Sequence, residues 1–304
     1  MAEETLSAER VAAYANSYQE VSGWTRSTGF QTHGYRFSHL GDVPRSIGEQ
    51  FLLATRYRRI DRETEASIAS YFVDPGVVML SRNGEEDVAG RRVEQLPEGV
   101  RLRRELGEVL GNRRSIRDYT GDAIPLPQLA TVVRAAGACT AVGHVDLVEG
   151  GERSIPFRTA PSPGGLYPLE VWLLARRVEG LDAGVWRFDP RRDALVHEGD
   201  EAMEEAARGC FAVPEEVIAL SRAAAVILLV ARPWKVMRKY GDRGVRYLFI
   251  EAGAIAENIH LACGSLGLGS CDCASVHDDE LHQALDFDGE LRQLAHTVVI
   301  GVPA

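Results

Sequence analysis

Apolar residues are spaced in two distinct ways along this chain. From 245 to 266 they recur at helical intervals, with Leu248, Ala252, Ile255, Ile259, Ala262 and Leu266 on one stripe, and Gly267-Leu268-Gly269 follows where a helix should stop. Segments 102–112 and 126–136 carry shorter stripes of the same kind. The second is entered through Pro125-Leu126-Pro127, whose prolines suit a first helical turn. Segments 201–208 and 214–221 also read as helices. By contrast, 169–175 and 223–230 are near-continuous apolar runs, far too short to cross a bilayer, and read as strands buried on both faces. Segment 184–188, a turn at 189–193 and segment 194–197 read as strand, hairpin turn and strand, and 297–301 as a last buried strand.

Upstream, segments 5–20, 47–58 and 63–72 have helix-compatible patterns, with Ser7, Ser46 and Asp61 near their N-termini. Between 83 and 97, Gly, Glu, Asp and Arg crowd together with few apolar residues, which reads as a linker or exposed loop. The expected organisation is an N-terminal helical region, 1–96, of no assigned role, followed by one domain, 97–304. Helices and strands mix without a regular βαβ rhythm, so the fold class is α+β rather than a doubly wound sheet.

Composition narrows the chemistry. The 304 residues are 45% hydrophobic and 26% charged, enough to bury a substantial core. A formal net charge of -10 argues against a nucleic-acid binder, which usually needs an extended basic face. The start, Met1-Ala2-Glu3-Glu4-Thr5, lacks the basic and then apolar regions of a secretory signal, so no membrane association and a cytoplasmic location are expected. Five cysteines, an odd number, fit reduced thiols better than a disulfide framework. Cys271 and Cys273 would share a strand face, but His260 and Cys263 make no recognised zinc spacing with them, so the cysteines read as small buried residues and no metal is expected.

Against that acidic background, Arg113-Arg114-Ser115-Ile116-Arg117 stands out. Three guanidiniums and a hydroxyl can bind a phosphate through paired, charge-assisted hydrogen bonds, although the run could equally be a solvated basic turn. Pro161-Ser162-Pro163-Gly164-Gly165 precedes a strand, and its paired glycines would let backbone approach a flat ligand, as a plain loop also could. Gly269-Ser270 follows a helix instead of preceding one, so it is not a dinucleotide fingerprint. Lys239-Tyr240 falls in an expected strand-to-helix loop. A lysine there could lower the phenol's pKa and fit the pair for moving a proton, while a surface role is the plainer alternative.

The order of these pieces resembles the SagB/McbC-type dehydrogenases, a branch of the nitroreductase-like flavoproteins. It runs Arg-Arg-Ser-x-Arg, Pro-Ser-x-Gly-x-Leu-Tyr-Pro, Lys-Tyr-Gly-x-Arg-Gly-x-Arg-Tyr with Glu251-Ala252-Gly253, and Gly-Leu-Gly-Ser, from about Leu102 to the end. The resemblance implies a nitroreductase-like FMN-binding fold, a mixed central sheet flanked by helices. It implies that Arg113, Arg114, Ser115 and Arg117 hold the FMN phosphate and ribityl chain. Pro161, Ser162, Gly164 and Gly165 would lie beside the isoalloxazine ring, with Gly269 and Ser270 at its other edge. Lys239 and Tyr240 would be catalytic. The implied reaction is oxidation of thiazoline or oxazoline rings on a ribosomally made peptide, in company with a cyclodehydratase and as a homodimer with 245–266 at its seam. The other readings are a different FMN oxidoreductase, either an NAD(P)H-dependent reductase or an oxidase, and a scaffold subunit of a modification complex.

Overall fold

The computed structural model describes residues 17–21, 24–28, 47–57, 62–73, 88–146 and 152–304, and the chain divides into two units, Met1–Asp61 and Arg62–Ala304. In the first, β1 (Ser17–Val21) pairs antiparallel with β2 (Trp24–Thr28), and α1 spans Ile47–Ala54. This corrects the helix expected over 5–20. Residues 17–20 lie in a strand, and 5–16 fall outside the described residues. The register sets Ser17 opposite Thr28 and Val21 opposite Trp24. The helix expected to reach residue 58 stops at Ala54, where the Thr55 hydroxyl donates to the Phe51 carbonyl at 2.5 Å.

The second unit contains, in chain order, α2 (Arg62–Val73), β3 (Val93–Gln95), α3 (Leu106–Asn112), β4 (Ile124–Pro125), α4 (Leu126–Gly137), β5 (Cys139–Asp146) and β6 (Glu152–Arg158). There follow β7 (Leu169–Ala175), β8 (Val178–Glu179), β9 (Gly184–Asp189), β10 (Ala194–Gly199), α5 (Glu201–Gly209) and β11 (Ala225–Ala231). It ends with α6 (Pro233–Tyr240), α7 (Arg243–Leu266), β12 (Gly269–Asp272), α8 (Asp278–Ala284) and β13 (Gln293–Gly301). Seven strands form one sheet in the order β12-β13-β11-β7-β9-β10-β3, antiparallel at every pairing. The parallel pair β4–β8 and the β5–β6 hairpin stand outside it. The α+β class read from the sequence is thus the observed one.

Both faces of the sheet are covered, which explains why β11 is buried at all seven positions. Ile227 and Leu229 join Leu173, Val171 and Ile300 in a core shared with α4 and α7. Val226, Leu228 and Val230 point the other way, into a core with Trp172, Leu174, Val299, Leu281 and Phe287 on the side of α5 and α8. Each fully buried leucine or isoleucine contributes about 1.5–3 kcal/mol relative to exposure.

Several segments differ from expectation. Residues 214–221 hold no α-helix, only a 3-10 turn at Leu220–Arg222. Glu215 accepts from the Ser221 backbone and hydroxyl, both at 2.9 Å, and Ala219 N donates to Arg117 O at 2.9 Å, so the donors of Ala219 and Ser221 are taken up outside a helical ladder. The helix expected from 102 begins at Leu106. Lys239 and Tyr240 lie not in a loop but in the last turn of α6, which Pro233 starts two residues after β11 ends. The expected linker contains β3, paired to β10, while 83–87 fall outside the described residues. The β5–β6 hairpin and α8 had no counterpart in the sequence reading. Among the described residues, no helix is long and apolar enough to cross a membrane.

Candidate active site

The arginine segment leaves the end of α3, with Arg113 N donating to Val109 O at 2.8 Å, and is stitched to the sheet edge. Ile116 N donates to Ser270 O at 3.0 Å and Thr120 N to Val302 O at 3.0 Å. Tyr119, fully buried, donates its hydroxyl to Ile116 O at 2.8 Å and lies 3.5 Å from Cys271 Sγ. A Cβ on Gly269 would sit 2.7 Å from Ile116 Cγ2, so only glycine permits this approach of 113–117 to β12.

Arg113, Arg114, Ser270 and His260 line one cavity of about 270 Å³, together with Glu108. Ser115 and Arg117 are exposed on the same segment and do not line it. Arg114 Nη1 donates to the Gly111 and Arg113 carbonyls at 3.1 and 2.7 Å, covering the negative end of α3. Among the described residues, the Arg113 and Arg117 side chains make no hydrogen bond or ion pair, so both guanidiniums have donors left for an anion. Behind Ser270 runs a polar chain. Its hydroxyl is 2.8 Å from His260 Nδ1, His260 Nε2 is 3.1 Å from Asp272 Oδ1, and His296 Nε2 is 2.7 Å from the same oxygen. Partial burial raises the Asp272 pKa, but hydrogen bonds from His296 and His260 outweigh it and hold the carboxyl below its ordinary value.

The second cluster forms where the 161–165 loop meets α6. Gly164 has φ of +64°, and a Cβ there would lie 2.9 Å from Lys239 Nζ and 2.9 Å from Tyr240 Oη. Two residues read separately as ring neighbour and proton carrier are thus brought to one point. Lys239 is buried, its ammonium 4.7 Å from the Tyr71 ring centroid and 5.4 Å from that of Tyr240. Tyr240 packs edge-on against Tyr247, with centroids 5.0 Å apart. The expected lowering of its pKa is corrected. Burial, then Tyr247 and Tyr71, push the phenol above its ordinary value, so it is neutral at rest. Pro161 is exposed, and Gly165 also takes positive φ, at +61°. Ser162 is committed within the protein, donating to Glu251 Oε2 at 2.5 Å and accepting from Tyr167 N at 2.9 Å.

Glu251 and His260 both lie on α7, nine residues apart, which is roughly 13 Å along the axis. The clamp and the glycine loop therefore meet this helix at different levels. Glu251, His260, Asp272 and the Tyr71 contact carried no assigned role in the sequence reading. For the first two the signal was present, since a carboxylate beside Ala252 and an imidazole beside Ile259 fall on the apolar stripe of α7. Asp272 and Tyr71 reach the site only through tertiary packing.

Comparison with known proteins places this geometry. Residues 110–302 match the Nitroreductase family. A protein of Methanocaldococcus jannaschii named as a candidate nitroreductase is 34% identical over 191 residues, 63% of this chain and 88% of that one. Among solved structures, a candidate nitroreductase of Ralstonia eutropha is 25% identical, with a TM-score of 0.55, covering 70% of this chain and 90% of that one. A chain of the E. coli microcin synthetase McbBCD complex, with its truncated pro-microcin bound, shares the fold at a TM-score of 0.52 and 17% identity, covering 85% of this chain and 92% of that one.

Proposed function

The chain belongs to the nitroreductase family, and from that premise we propose that it is an FMN-dependent dehydrogenase that oxidises thiazoline or oxazoline rings of a precursor peptide to thiazoles or oxazoles. The observation that carries this reading is the convergence of Lys239 Nζ and Tyr240 Oη on Gly164. Two groups able to move a proton are thereby held side by side against a loop whose glycine alone permits their approach.

The residues present fit FMN. Arg113, Arg114 and Ser270 line a cavity with cationic and hydroxyl donors, and Arg117, on the same segment, has no hydrogen bond or ion pair among the described residues, a donor set suited to a phosphate on an otherwise acidic protein. When bound, FMN supplies the two-electron acceptor that aromatisation of an azoline requires. The chain's own part is proton handling and orientation. Tyr240 takes a proton from the ring carbon, and Lys239, its ammonium 5.4 Å from the Tyr240 ring centroid, orients the phenol for that transfer. Ser162, bonded to Glu251 and Tyr167, keeps the glycine loop in register with that pair.

The partners of this reading are an azoline-bearing peptide, the cyclodehydratase that makes the ring, and a second copy of the chain. The fold neighbour within a peptide-modifying synthetase complex is in keeping with such company. Phe249 and Ile250, both exposed on α7, offer apolar surface for a homodimer seam. The purified protein should be yellow and should remove two hydrogens from an azoline peptide, with activity lost in Lys239→Ala and Tyr240→Phe proteins that retain FMN. Full activity in those variants would refute the assigned roles. The relatives named as nitroreductases favour a second reading, an NAD(P)H-dependent reductase. Rapid bleaching of the flavin by NADPH would select it.

A further inference from the structure

Gly165 and Tyr167, from the same loop as Gly164, form part of the wall of a separate cavity of about 90 Å³, whose lining also includes Cys139, Arg158, Asp189 and Lys235. Its carboxylates are already engaged. Glu170, at its edge, is ion-paired with Arg232, Nε to Oε1 2.6 Å, and accepts from Trp172 Nε1 at 3.1 Å. Asp189 accepts from Arg192 Nη1 at 2.6 Å and from Arg191 N at 2.9 Å. Two cations are left over. Arg158 donates to the Leu169 carbonyl at 3.1 Å and lies over the Tyr167 ring at 4.9 Å, without an ion pair. Lys235 is only 6% exposed, and among the described residues its ammonium makes no hydrogen bond or ion pair, with the Trp234 ring 5.9 Å away.

A buried ammonium without a counter-ion is unfavourable. Burial and then Arg232 push its pKa down to about 8, with Arg158 and Arg191 adding to the effect and Glu170 opposing it. The missing partner is an anion small enough for this cavity. We propose that the cavity binds a carboxylate carried by the substrate, held between Lys235 and Arg158. Lys235 precedes Lys239 by one turn of α6, and such pairs have Cβ atoms about 5–6 Å apart, so the acid would be anchored about one helical turn from the proton-handling pair. For a peptide, this selects an acidic residue close in sequence to the reacting ring. The identity of that ring rests on the dehydrogenase reading, whereas binding of the acid does not.

Calorimetry on the full chain loaded with flavin, using N-acetylglutamate as probe and N-acetylglutamine as control, separates the two. The acid should bind saturably at pH 7 and the amide at least tenfold more weakly. Lys235→Met should weaken the acid at least tenfold while the melting temperature stays level or rises, because the substitution removes an uncompensated charge. Should that variant not fold, Arg158→Gln carries the same test. Equal binding of acid and amide, or undiminished binding by the folded variant, overturns the proposal. Turnover then reports on the other reading: selective acid binding with no oxidation of any azoline peptide would leave the anion cavity standing and remove the dehydrogenase.

Discussion

Ser162 donates a hydrogen bond of 2.5 Å to Glu251, and through it the glycine loop is pinned to the middle of α7. The acid at the end of that bond is 2% exposed. Burial lifts its pKa from 4.5 to about 7, against the opposing effects of Ser162, Arg158 and Lys235.

The raised value fixes the sign of a pH dependence. The folded protein holds a proton that the unfolded chain releases near 4.5, so the contribution is complete below that pH and lost as pH rises through about 7. The difference amounts to roughly 3 kcal/mol. Glu251→Gln should therefore match the native protein near pH 4 and exceed its stability at pH 8. Thermal melts at the two pH values test this, and parallel curves for the two proteins would contradict it.

Gly164→Ala should leave the fold intact at a cost of about 1–2 kcal/mol for a side chain at positive φ. Its methyl would occupy the point on which Lys239 Nζ and Tyr240 Oη converge, so turnover should fall more than tenfold with flavin retained. Unchanged turnover would show that the packing of Lys239 and Tyr240 against this glycine plays no part in the reaction.

Arg113→Gln should loosen the flavin. A charge-assisted hydrogen bond contributes about 1.5–3 kcal/mol, corresponding to roughly ten- to hundredfold in affinity. Absorbance of the flavin remaining after dialysis, at low and at high salt, measures the loss. Full retention by a double Arg113→Gln, Arg117→Gln protein would place the phosphate elsewhere.

Because burial raises the Tyr240 phenol above 10, proton removal by its phenolate should speed up with pH and still be rising beyond that value. Tyr240→Phe should lose this alkaline limb. A rate profile with the same limb in both proteins would assign the proton transfer to another group.

Much of the sheet was legible because its strands are buried on both faces, which leaves near-continuous apolar runs such as 169–175 and 225–231 in the sequence. The long helix was equally plain, since its stripe survives over 24 residues. Segment 214–221 misled because its spacing is helical, yet Glu215 and Arg117 take up the backbone donors of Ser221 and Ala219. Residues 17–20 misled because a strand there pairs with residues 25–28, a partner that local spacing does not reveal.

By itself, then, the sequence determined the α+β class, the two-faced strands, and the presence of an arginine cluster, a glycine loop and a Lys-Tyr pair in a given order. Those are properties of composition and periodicity, which any chain carries in one dimension. Tertiary structure alone decided that Gly164 meets Lys239 and Tyr240 across 75 residues, that Tyr240 is neutral, and that Lys235 is buried with no counter-ion among the described residues. Solvation and charge pairing depend on which distant groups share a volume, and that is settled only when the elements pack.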